Sequence, residues 1–200
     1  MSRFFDHMNH HLRVLTILLT SGIVLLNISQ TTDILAQDIT QQPQPTSYQV
    51  PSFFLKSPTL IRSATSAKGP ASEANYHFTI QVPSNAGQPL KSVTIIQQLN
   101  VEKIRFLPQG SQAFIGQSFH RGTPVAVQGE LIENDTDGVK VIFNEPILPG
   151  NTVTVVLRAI NPLYGGVYQF GVTAFPEGND QQGLYLGPGR LHFSMPGGSS

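Results

Sequence analysis

In Tyr76-His-Phe-Thr-Ile-Gln-Val82 every second residue is apolar. Tyr76, Phe78, Ile80 and Val82 would line one face of a strand, and His77, Thr79 and Gln81 the other. Pro83-Ser-Asn-Ala-Gly87 ends the run with turn formers. The same period of two returns downstream. Val93 to Gln97 and Val101 to Phe106 read as strands, and Ala113 to Phe119 as a weaker one. Glu130 to Asn134 and Val139 to Phe143 flank Asp135-Thr-Asp-Gly138, an Asp-Gly hairpin signal. Asn151 to Ile160 is rich in β-branched residues, with Val153, Val155 and Leu157 expected in the core. Val167 to Phe175 and Leu191 to Met195 complete about eight strands. Helical periodicity is nearly absent, with room only for a short turn near Ala71 to Asn75 or Pro108 to Phe114.

Strands this short, separated by turns, predict an all-β fold of two packed antiparallel sheets. An immunoglobulin-like sandwich is the first expectation; a jelly roll or small barrel is the alternative. The 18 glycines and 15 prolines suit the many reversals that such a fold needs.

The N-terminus reads differently. Arg3, His7, His10, His11 and Arg13 make a basic start, Val14 to Ile28 an apolar run, and Leu35-Ala36-Gln37 a small-residue site. This is the order of parts in a secretory signal peptide, helical in its apolar portion, with cleavage expected after Ala36. The run has about 15 residues, where a spanning helix needs roughly 20. Retention as an N-terminal anchor is the alternative. The expected organisation is therefore signal peptide 1–36, a flexible Gln/Pro-rich lead-in 37–57, a sandwich domain 58–195 and a flexible tail 196–200. The expected location is periplasm, cell envelope or extracellular space, with no membrane span after cleavage.

The chain has no cysteine, so neither disulfides nor a thioether lipid enter the account. Formal net charge is zero over 200 residues. Without a basic run, nothing favours nucleic acid or anionic lipid.

Four segments then become recognisable: Tyr76 to Leu90, Ile104-Arg-Phe106, Asn161 to Gly178, and Tyr185-Leu-Gly-Pro-Gly-Arg-Leu-His-Phe193. Their order and spacing resemble the cyanobacterial domain of unknown function 2808, a family of exported proteins. The resemblance covers roughly Ser57 to Phe193. It implies an envelope or extracellular setting and assigns no catalytic or binding residue.

Glu133, Asp135, Asp137 and Gly138 mimic the start of a calcium loop, but Asn144 stands where a bidentate Glu is needed. A solvated hairpin tip is the ordinary reading. His192 and Met195 suit copper by residue type. In a strand, however, they would face opposite sides, with Leu191, Phe193 and Met195 inward. His77 and His120 have no neighbour at ligand spacing. Gly-x-Ser-x-Gly and His-Glu-x-x-His are both absent. Glu145, Glu177 and Asp180 are carboxylates in expected loops. No cofactor and no catalytic residue is assigned, and the chain is read as non-enzymatic. Tyr168, Phe170 and Val172 share a face that packs inward. Tyr164 and Tyr185 sit in expected loops and are the candidate contacts for an envelope protein or polysaccharide. Gly165-Gly166 and Gly187-Pro-Gly189 are read as sites of positive φ or close chain approach. The leading reading is an exported binding or structural module. The alternatives are an exported copper or calcium protein, and an envelope hydrolase.

Overall fold

A computed structural model of the chain describes residues 52–117, 122–132, 138–179 and 181–197. Eleven strands form, in the order β1 Thr59–Thr65, β2 Glu73–Gln81, β3 Leu90–Gln97, β4 Arg105–Phe106, β5 Gln112–Ile115, β6 Thr123–Val125, β7 Val127–Leu131, β8 Gly138–Ile147, β9 Thr152–Ile160, β10 Gly166–Pro176 and β11 Leu184–Phe193. One 3-10 turn, Pro108–Gly110, separates β4 from β5.

The strands form two antiparallel sheets. One runs β1-β2-β9-β5-β6, with β4 also on β9; the other runs β11-β10-β3-β8-β7. β1, β2, β9 and β5 stand where an immunoglobulin domain has A, B, E and D, facing β3, β10 and β11 in the places of C, F and G. The architecture is an immunoglobulin-like sandwich, as the alternation indicates.

Its core is built from the alternating residues. Tyr76, Phe78 and Ile80 from β2 and Val153, Val155 and Leu157 from β9 face Val93, Ile95, Tyr168, Phe170 and Val172 across the interior. All of them are buried. Burying each such side chain contributes roughly 1.5–3 kcal/mol. The far face of the first sheet is covered too. His77, Thr79, Phe114, Thr154 and Val156 are buried there. The hydroxyls of Thr79 and Thr154 meet at 3.0 Å, and Thr154 donates to the Gly116 carbonyl at 2.8 Å.

His77 carries a consequence of that burial. Desolvation, helped by the positive charge of Arg62, lowers its pKa to about 4. The unfolded chain binds the proton near pH 6.5, so acid favours unfolding. Stability should therefore hold above pH 6.5 and fall by roughly 2–3 kcal/mol between pH 6.5 and 4 through this group. Denaturant titrations at pH 7 and pH 4.5 would show it, and His77→Gln should flatten the slope. An unchanged slope in the variant would assign the acid sensitivity elsewhere.

Both lateral edges are closed. Ser63 on β1 donates its hydroxyl to the Arg190 carbonyl and accepts from the Arg190 amide on β11. Gly189 lets β11 approach this closely, because a Cβ there would stand 2.8 Å from the buried Phe78 ring. On the other side only Ala126 separates β6 from β7, so one extended segment passes from the first sheet to the second.

Several expectations are corrected. β1 was not foreseen; its period is broken by a bulge at Ile61. The strand expected from Val101 contains only Arg105–Phe106. The strand placed at Glu130 to Asn134 runs from Val127 to Leu131, and pairs with β8 as the Asp-Gly signal required. The last strand begins seven residues earlier than expected, at Leu184, and ends at Phe193. Tyr185 is therefore in a strand, and Met195 lies beyond one. Glu145 is within β8.

Candidate functional site

The end of the sandwich where β3 and β9 leave their sheets is organised by polar side chains that fix two loops. Gln97 donates to the Glu102 carbonyl at 2.7 Å and accepts from the Ile104 amide at 2.6 Å, folding residues 98–103 into a closed loop. The Glu102 carboxylate accepts from the amides of Leu163 and Tyr164, at 2.7 and 3.0 Å, which joins that loop to the β9–β10 loop. Asn100 donates to the Val167 carbonyl at 3.0 Å and accepts from the Val101 amide at 2.7 Å. Tyr168, inside the core, sends its hydroxyl to the Tyr164 carbonyl. Burial and the nearby Glu102 raise the pKa of that phenol, so it remains a donor.

A third segment joins them. The Ser194 amide donates to the Lys68 carbonyl as the chain leaves β11. It then runs against Gly165, where a Cβ would stand 2.5 Å from the Ser194 carbonyl carbon. Only glycine permits that approach.

The product is an apolar end. Leu99 is fully exposed, Val101 is 80% and Tyr164 62% exposed, and Leu163, Val167 and Met195 are exposed beside them. These six come from three separate segments. The other large exposed apolar side chains among the described residues (Phe53, Leu55, Ile61, Leu131, Leu148 and Tyr185) lie elsewhere. A scatter of single apolar residues is ordinary; six at one end of the sandwich are more than that.

The remaining sequence candidates fall apart in space. His192 is exposed on β11 opposite Val167. Met195 is exposed too, 64%, and not inward as alternation suggested, because the strand stops at Phe193. Glu133, Asp135, Asp137, His120 and Asp180 lie outside the described residues. Among the described residues no group of three metal-ligating side chains occurs. Glu145 and Glu177 are both exposed. A groove of about 550 Å³ opens between β6 and β8 toward the opposite end of the sandwich. Glu145 is its only ionisable lining residue among the described residues. No helix among the described residues is long and apolar enough to cross a membrane.

Leu99, Val101 and Leu163 were not singled out from sequence. The only available signal was an apolar residue inside a turn-forming stretch, as in Leu99-Asn-Val101 and Pro162-Leu-Tyr164.

Fold and surface together define an immunoglobulin-like β-sandwich with an exposed apolar end. The chain belongs to the family described as protein of unknown function DUF2808, whose model matches residues 51–193. No curated protein matches the sequence. Solved structures are similar at the level of fold. The C-terminal domain of the Streptococcus pyogenes antigen I/II-family protein AspA is 16% identical with a TM-score of 0.41, over 65% of this chain and 42% of that one. The major pilin subunit BcpA of Bacillus cereus is 9% identical with a TM-score of 0.43, over 70% and 41%. The collagen-binding subdomain ACE19 of an Enterococcus faecalis surface protein is 6% identical with a TM-score of 0.39, over 72% and 98%. The chain thus spans less than half the length of two of these three.

Proposed function

We propose that this protein is an exported, non-catalytic binding module of the cell envelope that holds a protein partner at its apolar end. One observation carries the reading: six large apolar side chains from three segments are exposed at one end of the sandwich, five of them outside strands and Val167 at the start of β10, with the loops of Leu99, Val101, Leu163 and Tyr164 held by side-chain hydrogen bonds. Such loops lose little conformational freedom on binding, which favours affinity. The basic, apolar and small-residue parts of residues 1–36 support export, with cleavage after Ala36 and residues 37–57 as a lead-in to the domain. The cyanobacterial resemblance supports an envelope setting. Residues 52–55 join the sandwich at its other end, where Leu55 bonds Ala86 and Ser52 bonds Glu177. The chain thus enters away from the contact surface.

The test is affinity capture from envelope fractions, comparing the natural chain with Leu163→Asp and Val101→Asp. Both positions are exposed, so melting temperature should be unchanged. The natural chain should retain a defined partner that both variants lose. An identical protein set on all three would sink the reading. N-terminal sequencing of the recovered protein should begin at Gln37; an intact Met1 in the cytosolic fraction would overturn export.

A further inference from the structure

We propose that a cleft on the outer face of the second sheet, which shares Leu99, Val101 and Val167 with the apolar end, binds a neutral oligosaccharide with Tyr185 as its stacking platform. This goes beyond the protein contact proposed for the apolar end.

The cleft has a volume of about 470 Å³ and lies between the β3–β4 loop and the start of β10. Its walls are Gln98, Leu99, Asn100, Val101, Val167 and Gln169, none of them charged. That size is within the range of small-ligand sites. The Asn100 amide is engaged within the loop. The side-chain amides of Gln98 and Gln169 have no hydrogen-bond partner among the described residues and project from the sheet face.

Tyr185 stands on the same face, beside the Gln98 wall of the cleft. It is 55% exposed and pairs with Thr173 across β10–β11. Its ring lies over Gly171: a Cβ at that glycine would stand 3.2 Å from the ring Cε2 and 3.3 Å from the Gln98 Nε2. The missing side chain is what lets the ring and the Gln98 amide meet above the strand.

The chemistry of these groups selects the ligand. A sugar ring presents an apolar C–H face and pairs of neighbouring hydroxyls. An exposed tyrosine face stacks on the first. A carboxamide serves the second, since it donates through nitrogen and accepts through oxygen. A phosphate would find no cation in the lining. Arg190 sits opposite Gln169 at the rim, so an acidic sugar would make binding sensitive to salt.

The full chain is titrated by calorimetry with cello-, malto-, xylo- and chito-oligosaccharides, with oligogalacturonate as the acidic comparison. At least one neutral series should bind, and 0.5 M salt should leave its affinity unchanged. Tyr185→Ala and Gln169→Ala should each weaken it about tenfold, while Tyr185→Trp retains it. Both positions lie on the outer face, so unchanged melting temperatures verify the fold. Leu163→Asp should leave sugar binding intact, which separates failure here from failure of the apolar-end reading. No neutral binding at millimolar sugar, binding that survives Tyr185→Ala, or affinity that collapses in salt would overturn the proposal.

Discussion

Asn161→Ala lowers the stability of this domain by about 3 kcal/mol, or roughly 10 °C in melting temperature. The side chain is 3% exposed and joins three parts of the fold. Its oxygen accepts the Tyr76 hydroxyl at 2.9 Å. Its nitrogen donates to the carbonyls of Gly69 and Ala67, at 2.9 and 3.2 Å, and to the Ser72 hydroxyl at 3.1 Å. Alanine removes these bonds and leaves the phenol of Tyr76 without a partner inside the core. An unmet buried polar group costs about 1–3 kcal/mol, more than the net gain from the bond it replaces. Tyr76→Phe should cost less, about 1–2 kcal/mol, because only this one bond is lost and the ring remains, although the Asn161 oxygen is then unmet. The double variant should cost less than the sum, since the shared bond is then counted once. Urea unfolding of all three measures this, and a loss below 1 kcal/mol for Asn161→Ala would refute it. Amide exchange should also quicken at residues 67–72, and at Leu163 and Tyr164, which follow Asn161 in the chain.

Phe170→Ala is expected to be at least as severe, at about 4 kcal/mol. Phe170 is fully buried on β10. Its ring meets Tyr76 and Phe78 at 5.8 Å and Phe106 at 6.2 Å between centroids, each edge to face. Those three rings belong to the opposite sheet, so Phe170 is the main aromatic link across the interior. Truncation removes the transferred surface and leaves a cavity that rigid neighbours cannot fill. Phe170→Leu keeps most of the volume and should cost about 1–1.5 kcal/mol. Near-equal losses for the two variants would show that the site collapses freely and that ring geometry contributes little.

How legible the fold was depended on strand position. β2, β9 and β10 are central, and the interior demands apolar residues at alternate places along their whole length. Their pattern was plain. Edge strands face weaker demands. β1 carries exposed residues at Thr59, Ile61 and Arg62 and shifts register between Leu60 and Arg62, so no period survives. β11 contains Gly187-Pro-Gly189, which reads as a loop. An edge strand tolerates proline because its outward amides need no ladder partner. The β6–β7 segment loses its alternation at Ala126, where it changes sheets. His77 was correctly placed off the inner face, but its burial depends on the covering of that outer face.

The apolar end was half legible. Tyr164 could be picked out as an aromatic residue in a loop. Val101 looked like a strand residue, because its exposure depends on where β4 begins, and of the expected strand only Arg105 and Phe106 pair with β9. Tyr185, expected in a loop, lies in β11.

Alternation along the central strands, with turn formers between them, was enough to establish a double-layered β-fold. Hydrogen-bonding geometry makes that period local, so neighbouring residues suffice to reveal it. The assembly of the contact end belongs to the tertiary structure alone. Whether Leu163 or Met195 is covered depends on segments far off in the chain, such as Glu102 beside Leu163 and Lys68 beside Ser194, and no local period records which of them arrive.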